Sequence, residues 1–168
     1  MSWYNFLSKC GVYCFVTFTL MACSSGPKPE TTAAITALKA LNSKVTVGIN
    51  IQDYATAVRD TKVAFDRAVE ADSKSKDNVN LKEAMDSHLA ALALWRCDFE
   101  DDTLATYKCR NNAYENTIFI LNSKIKDSVE SKKAFLDSSF YFYKVDDNKV
   151  IKFLWQSSES SLDFIKSK

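Results

Sequence analysis

The stretch LKEAMDSHLAALALW, Leu81 to Trp95, decides the fold. Leu81, Met85, His88 or Leu89, Leu92 and Trp95 recur at three- and four-residue steps, which is the buried stripe of an α-helix. Ala84, Ala90, Ala91 and Ala93 are small enough to let neighbouring helices approach closely. Asn78 or Asn80 supplies the N-cap. A helix with this much apolar surface needs partner helices on either side of it in the chain.

Upstream, Ala34, Leu38, Leu41 and Val45 mark one face of a helix beginning near Thr31. Thr46 to Ile51 (TVGINI) breaks that pattern with β-branched residues and Gly48. Asn50 then caps a second helix with help from Asp53. Its seam is Tyr54, Val58, Thr61 or Lys62, Phe65 and Val69, and it ends near Ala71. Asp72 to Asn78 (DSKSKDN) reads as a solvated loop.

Downstream, Cys97 to Cys109 connects to a fourth helix carrying Tyr114, Ile118, Leu121 and Ile125 at helical spacing. Lys124 to Lys133 continues that helix or loops. Phe135 to Val145 (FLDSSFYFYKV) suits either a strand or the aromatic side of a helix. A last helix starts near Asp147, with Val150 or Ile151, Leu154, Ser158, Leu162 and Ile165 inward. Turn residues are scarce, with 3 Gly and 2 Pro in 168 residues, which favours helix throughout. The expected fold is all-α, a bundle of four or five helices with a short extended aromatic segment near 135–145 as an option.

The N-terminus has a different character. Lys9 precedes an apolar run from Gly11 to Ala22 (GVYCFVTFTLMA), and Leu20-Met21-Ala22-Cys23 closes it. A basic n-region, a short apolar h-region and a small residue at the cut site are the parts of a secretory signal. The run is shorter than the ~20 residues a spanning helix needs. It resembles the lipobox signal peptide of bacterial lipoproteins. That resemblance implies cleavage before Cys23 and lipidation of its thiol and new amine, so membrane attachment passes through Cys23. It divides the chain into a signal peptide at 1–22, a tether at 23–30 and a single helical domain at 31–168. Ser24 after Cys23, where retained lipoproteins of the family carry Asp, implies transfer to the outer membrane, facing periplasm or exterior.

Five cysteines fit this division. Cys10 and Cys14 leave with the leader and Cys23 takes lipid, so Cys97 and Cys109 remain as an expected disulfide in an oxidising compartment. Lys9 is the only charge removed. The 22 basic and 21 acidic residues of the whole chain become 21 of each, and the mature domain is neutral. Neutrality disfavours nucleic acid, which calls for a basic stripe.

Chemistry-bearing motifs are few. His88 is the single histidine, which excludes a His-pair metal site, and no nucleophile of recognised spacing accompanies it. A packed structural histidine is the expectation. Asp98-Phe99-Glu100-Asp101-Asp102 lacks the glycine and the spacing of a calcium loop, and reads as a solvated connection. No metal and no cofactor are expected, and no catalytic residue is assigned. If Phe140, Tyr141, Phe142 and Tyr143 are extended, alternate residues cannot all face one core, which makes them the candidate interaction surface. The expected role is a non-enzymatic interaction or structural module with an envelope protein partner. The alternatives are a surface-exclusion, inhibitor or immunity-type lipoprotein and, behind both, an envelope hydrolase with an unrecognised site.

Overall fold

A computed structural model describes residues 27–121, 132–136, 140–144 and 147–166, with side chains for 27–114 and 147–165. Five α-helices build the described chain: α1 (Pro29–Val47), α2 (Ile51–Ala71), α3 (Asn78–Arg96), α4 (Thr103–Leu121) and α5 (Asp147–Lys166). A 3-10 turn, Cys97–Phe99, links α3 to α4. Between α4 and α5 lies a two-stranded antiparallel hairpin, β1 (Lys132–Leu136) with β2 (Phe140–Lys144), in which Leu136 opposes Phe140 and Lys132 opposes Lys144. The expected helical bundle is therefore the fold. The aromatic segment has the extended form, and its backbone pairs within the hairpin rather than into the bundle.

α3 is the central element and packs against α1, α2, α4 and α5. Its burial is broader than one stripe. Leu81, Ala84, Met85, Ser87, His88, Ala90, Ala91, Leu92 and Leu94 are all buried, as befits a helix with neighbours on several sides. Leu94, outside the expected stripe, is completely enclosed. Ala93 instead faces solvent, so it permits no close approach. The helix starts at Asn78, with Asp77 in the cap position and no side-chain cap bond. Neither Asn78 nor Asn80 caps it: the Asn78 amide donates to the Asp72 carbonyl at 2.6 Å and braces the preceding loop.

The first helical pair follows the sequence closely. Ala34, Leu38 and Leu41 are buried on α1, with Val45 half-buried at the margin. Helix α1 begins at Pro29, where a missing N–H is harmless in the first turn, and runs on through Thr46 and Val47. The interruption expected from Thr46 is confined to Gly48–Asn50. Gly48 takes φ +106, a conformation that L side chains rarely adopt, and its N–H donates to the Lys44 carbonyl at 3.1 Å. Nothing lies near the space a Cβ would occupy, so the demand for glycine is set by the backbone alone. Asn50 caps α2, its carbonyl oxygen accepting from the Asp53 N–H at 2.9 Å while its amide donates to the Asp53 carboxylate. Thr61, not Lys62, fills the α2 seam. Lys62 turns outward to an i,i+4 ion pair with Asp66.

Two apolar clusters share α3. The larger joins α1, α2, the first half of α3 and Leu162 of α5. The smaller joins the end of α3 to Ala113 and Tyr114 of α4 and to Val150, Ile151 and Leu154 of α5. Helix α4 begins at Thr103, earlier than the sequence suggests, so Cys109 stands inside the helix instead of in the connection before it. Asp102 starts that helix by accepting the Leu104 N–H at 3.1 Å. Tyr114 is buried as expected. The side chains of Ile118 and Leu121, and all of Ile125 and 124–131, lie outside the described residues.

Candidate functional site

Each helix of the larger cluster contributes one side chain to a hydrogen-bonded chain that crosses the bundle. Tyr54 of α2 and His88 of α3 are fully enclosed, and Trp155 of α5 and Asn42 of α1 flank them half-buried. The Trp155 Nε1–H donates to Tyr54 Oη at 2.9 Å. Tyr54 Oη stands 2.9 Å from His88 Nδ1, and His88 Nε2 stands 2.9 Å from Asn42 Oδ1.

The donor order follows from the chain's ends. An indole nitrogen can only donate, so the Tyr54 oxygen accepts from it, and the phenol proton then has two acceptors in reach, His88 Nδ1 and the His88 carbonyl at 3.2 Å. At the other end the Asn42 carbonyl oxygen can only accept, so the neutral ring carries its proton on Nε2 and Nδ1 accepts from Tyr54. Burial lowers the His88 pKa to about 4, which keeps the ring neutral at pH 7 as this order requires. Burial likewise raises the Tyr54 phenol, although the Trp155 hydrogen bond opposes that shift. Trp95 completes the surroundings, its ring 5.6 Å from that of Tyr54 and 6.0 Å edge-on to Trp155.

His88 is thus the packed, hydrogen-bonded histidine expected from its apolar setting. Both ring nitrogens are committed to neighbours, which leaves neither aimed at an open cleft. The arrangement aligns four helices: a shift of one residue along any of them would strand a buried donor or acceptor. Sequence alone marks Tyr54 and His88 as inward-facing. Asn42 and Trp155 have no motif that couples them, since their partners lie 46 and 101 residues away.

A second polar cluster ties the smaller core. Arg110 of α4 bonds Asp98 at 2.6 Å and pairs with Asp147, the first residue of α5, at 2.8 Å. Tyr114 donates to the same Asp147. The acidic run after α3 is therefore partly spoken for: Asp98 holds Arg110 and Asp102 caps α4. Beside this cluster Cys97 and Cys109 stand at disulfide distance, with Cα atoms 5.5 Å apart.

Among the described residues, open clefts lie along helix seams. One of about 570 Å³ sits beneath the Gly48 turn, between Lys44, Asp53, Thr56 and Asp60. Another of about 530 Å³ follows α1 and α5 between Lys39, Thr46, Glu159 and Asp163. Among the described residues, no three His, Cys, Asp or Glu side chains gather as around a metal ion. No described helix is long and apolar enough to cross a membrane.

The structure places the remaining sequence-derived residues unevenly. Cys97 and Cys109 are brought together. Phe140, Tyr141, Phe142 and Tyr143 form the backbone of β2, but their side chains lie outside the described residues, as does Cys23. Comparison of the chain with family models, curated proteins and solved structures finds no match to any of them.

Proposed function

We propose that this chain is an envelope lipoprotein, held to the membrane by acyl groups on Cys23, and that its helical domain acts as a non-enzymatic interaction or structural module. The observation that carries the reading is the sequence Leu20-Met21-Ala22-Cys23 at the end of a short apolar run behind Lys9. The pairing of Cys97 with Cys109 supports it, because disulfides persist in exported proteins. Ser24 favours the outer membrane. The titratable groups of the domain's centre serve packing: His88 and Tyr54 satisfy each other inside the bundle rather than lining a cleft. Partner recognition falls to the Phe140–Tyr143 strand, whose paired backbone leaves alternate residues no single core to share.

Replacing Cys23 by Ser is expected to move the protein from the membrane fraction to the soluble fraction while its helical circular dichroism stays unchanged. Continued membrane retention of the folded variant would sink the lipoprotein reading. Photo-crosslinking probes at 140–145, with the 72–78 loop as control, test the module: capture of one envelope protein from the strand alone is the expected outcome.

A further inference from the structure

The end of the bundle that meets the bilayer can be identified from where the tether enters it. Lys28, the last residue before α1, is fastened to the end of α2: its ammonium donates to the Ala71 carbonyl at 2.7 Å and lies 3.6 Å from the Asp72 carboxylate. From Cys23 to Lys28 are five residue steps, about 18 Å at full stretch. A lipid on Cys23 therefore holds the α2–α3 loop within that distance of the membrane surface. Helix α2 has 21 residues and spans about 30 Å, so its Gly48–Asn50 end is beyond the tether's reach if the bundle stands upright.

The loop's chemistry suits a lipid surface. Lys74 and Lys76 are exposed at its tip and ion-pair with no described residue, while Asp72 is drawn back to Lys28 and Asp77 is half-buried. Val79, in the first turn of α3, is 71% exposed beside them. Lysines with a small apolar residue are what an interface of anionic headgroups accepts. The domain's overall neutrality keeps this contact local, so anchoring falls to the acyl chains and orientation to the loop.

We infer that the α2–α3 loop, with Lys74, Lys76 and Val79, rests on anionic headgroups of the bilayer that holds Cys23, so that the bundle stands with its Gly48 turn pointing away. This inference rests on the lipoprotein reading above. It also gives the opposite end, where Val47, Phe99 and Leu104 are exposed, a free outlook from the membrane.

The test uses the full lipidated protein, in which an added cysteine is the single free thiol. Ser73→Cys and Gln52→Cys carry a fluorophore, in vesicles of phosphatidylethanolamine and phosphatidylglycerol containing a headgroup-linked nitroxide lipid. Loss of most of the emission at position 73, with none at position 52, is expected. Equal losses, or a greater loss at 52, with acylated Cys23 confirmed by intact mass and by flotation, would overturn the orientation and leave the lipoprotein reading standing. An intact mass without acyl groups would overturn both. In Lys74→Glu/Lys76→Glu the protein should still float but lose the contrast between the two positions. Unchanged quenching at 73 in that variant would overturn the headgroup contact.

Discussion

The two cores that flank α3 are held together by different means. The larger, between α1, α2 and the C-terminal half of α5, has many fully enclosed apolar side chains and a buried polar chain, with no covalent link. The smaller, between the end of α3, α4 and the start of α5, has fewer enclosed side chains, and α4 packs against α3 and the 3-10 turn. That region carries the Cys97–Cys109 pair and the Asp98–Arg110–Asp147 cluster. Where helices can surround one another, burial stabilises them and hydrogen bonds select their register. Where a helix lies at the edge with one main neighbour, a crosslink and charges supply what burial does not.

The contrast implies that acid and reductant attack opposite halves. His88 has a folded pKa of about 4 against about 6.5 when unfolded. Between those values the unfolded chain binds the extra proton, so stability is complete above about pH 6.5 and falls as pH is lowered through about 4. The full loss is about 3 kcal/mol, with about 2 kcal/mol already gone at pH 5. Urea midpoints at pH 7, 5.5 and 4.5 measure it. His88→Gln should be less stable at pH 7 yet flatten the profile between pH 6.5 and 4.5. An equally steep profile in that variant would place the acid sensitivity elsewhere.

Reduction is expected to act on the smaller core. Opening a bridge between residues 12 apart removes about 3 kcal/mol by the chain-entropy relation, and should lower the melting temperature by several degrees. Its location is the sharper test. Amide exchange should quicken in α4 and the 3-10 turn on reduction, while α1 and α2 stay protected. Equal deprotection of both cores would erase the distinction between them.

Legibility in the sequence follows the same division. Helices α2 and α5 are strongly amphipathic and α1 buries a single face, so Ala34, Leu38, Tyr54, Val58, Leu154 and Leu162 announce their inward sides through spacing. Helix α3 is enclosed on several sides, and a period tuned to one face passes over Leu94 and wrongly enlists Ala93. The start of α4 is hidden because Cys97 to Cys109 has no apolar stripe. What begins that helix is Asp102 accepting a backbone N–H, a local bond available to any of several nearby acids. The polar chain is the least visible feature. Tyr54 and His88 can be placed inside by phase, but no local pattern states that Asn42 and Trp155 terminate their hydrogen bonds. The pairing of Cys97 with Cys109 is readable only by subtraction, if Cys10 and Cys14 go with a leader and Cys23 takes lipid.

Ser158 separates the two cores by a smaller effect. It sits on the inner face of α5, between Leu154 of one cluster and Leu162 of the other, with no exposed surface. Its hydroxyl has no hydrogen-bond partner among the described residues, in contrast to Ser161, which donates to the Ser157 carbonyl at 3.0 Å. A buried hydroxyl without a partner bears its desolvation cost with no return, and alanine removes it while preserving the helix. Ser158→Ala should therefore leave stability unchanged or raise it by up to about 1 kcal/mol, read as a higher urea midpoint at constant slope. Tyr54→Phe also removes a hydroxyl, one on α2 that accepts from Trp155 of α5, but it strands the indole donor and His88 Nδ1, so it should cost about 2 kcal/mol. A destabilised Ser158→Ala would mean that the seam between the cores is closed by a polar contact, and the larger cluster would then be directed by hydrogen bonds along the whole of α5 rather than at Trp155.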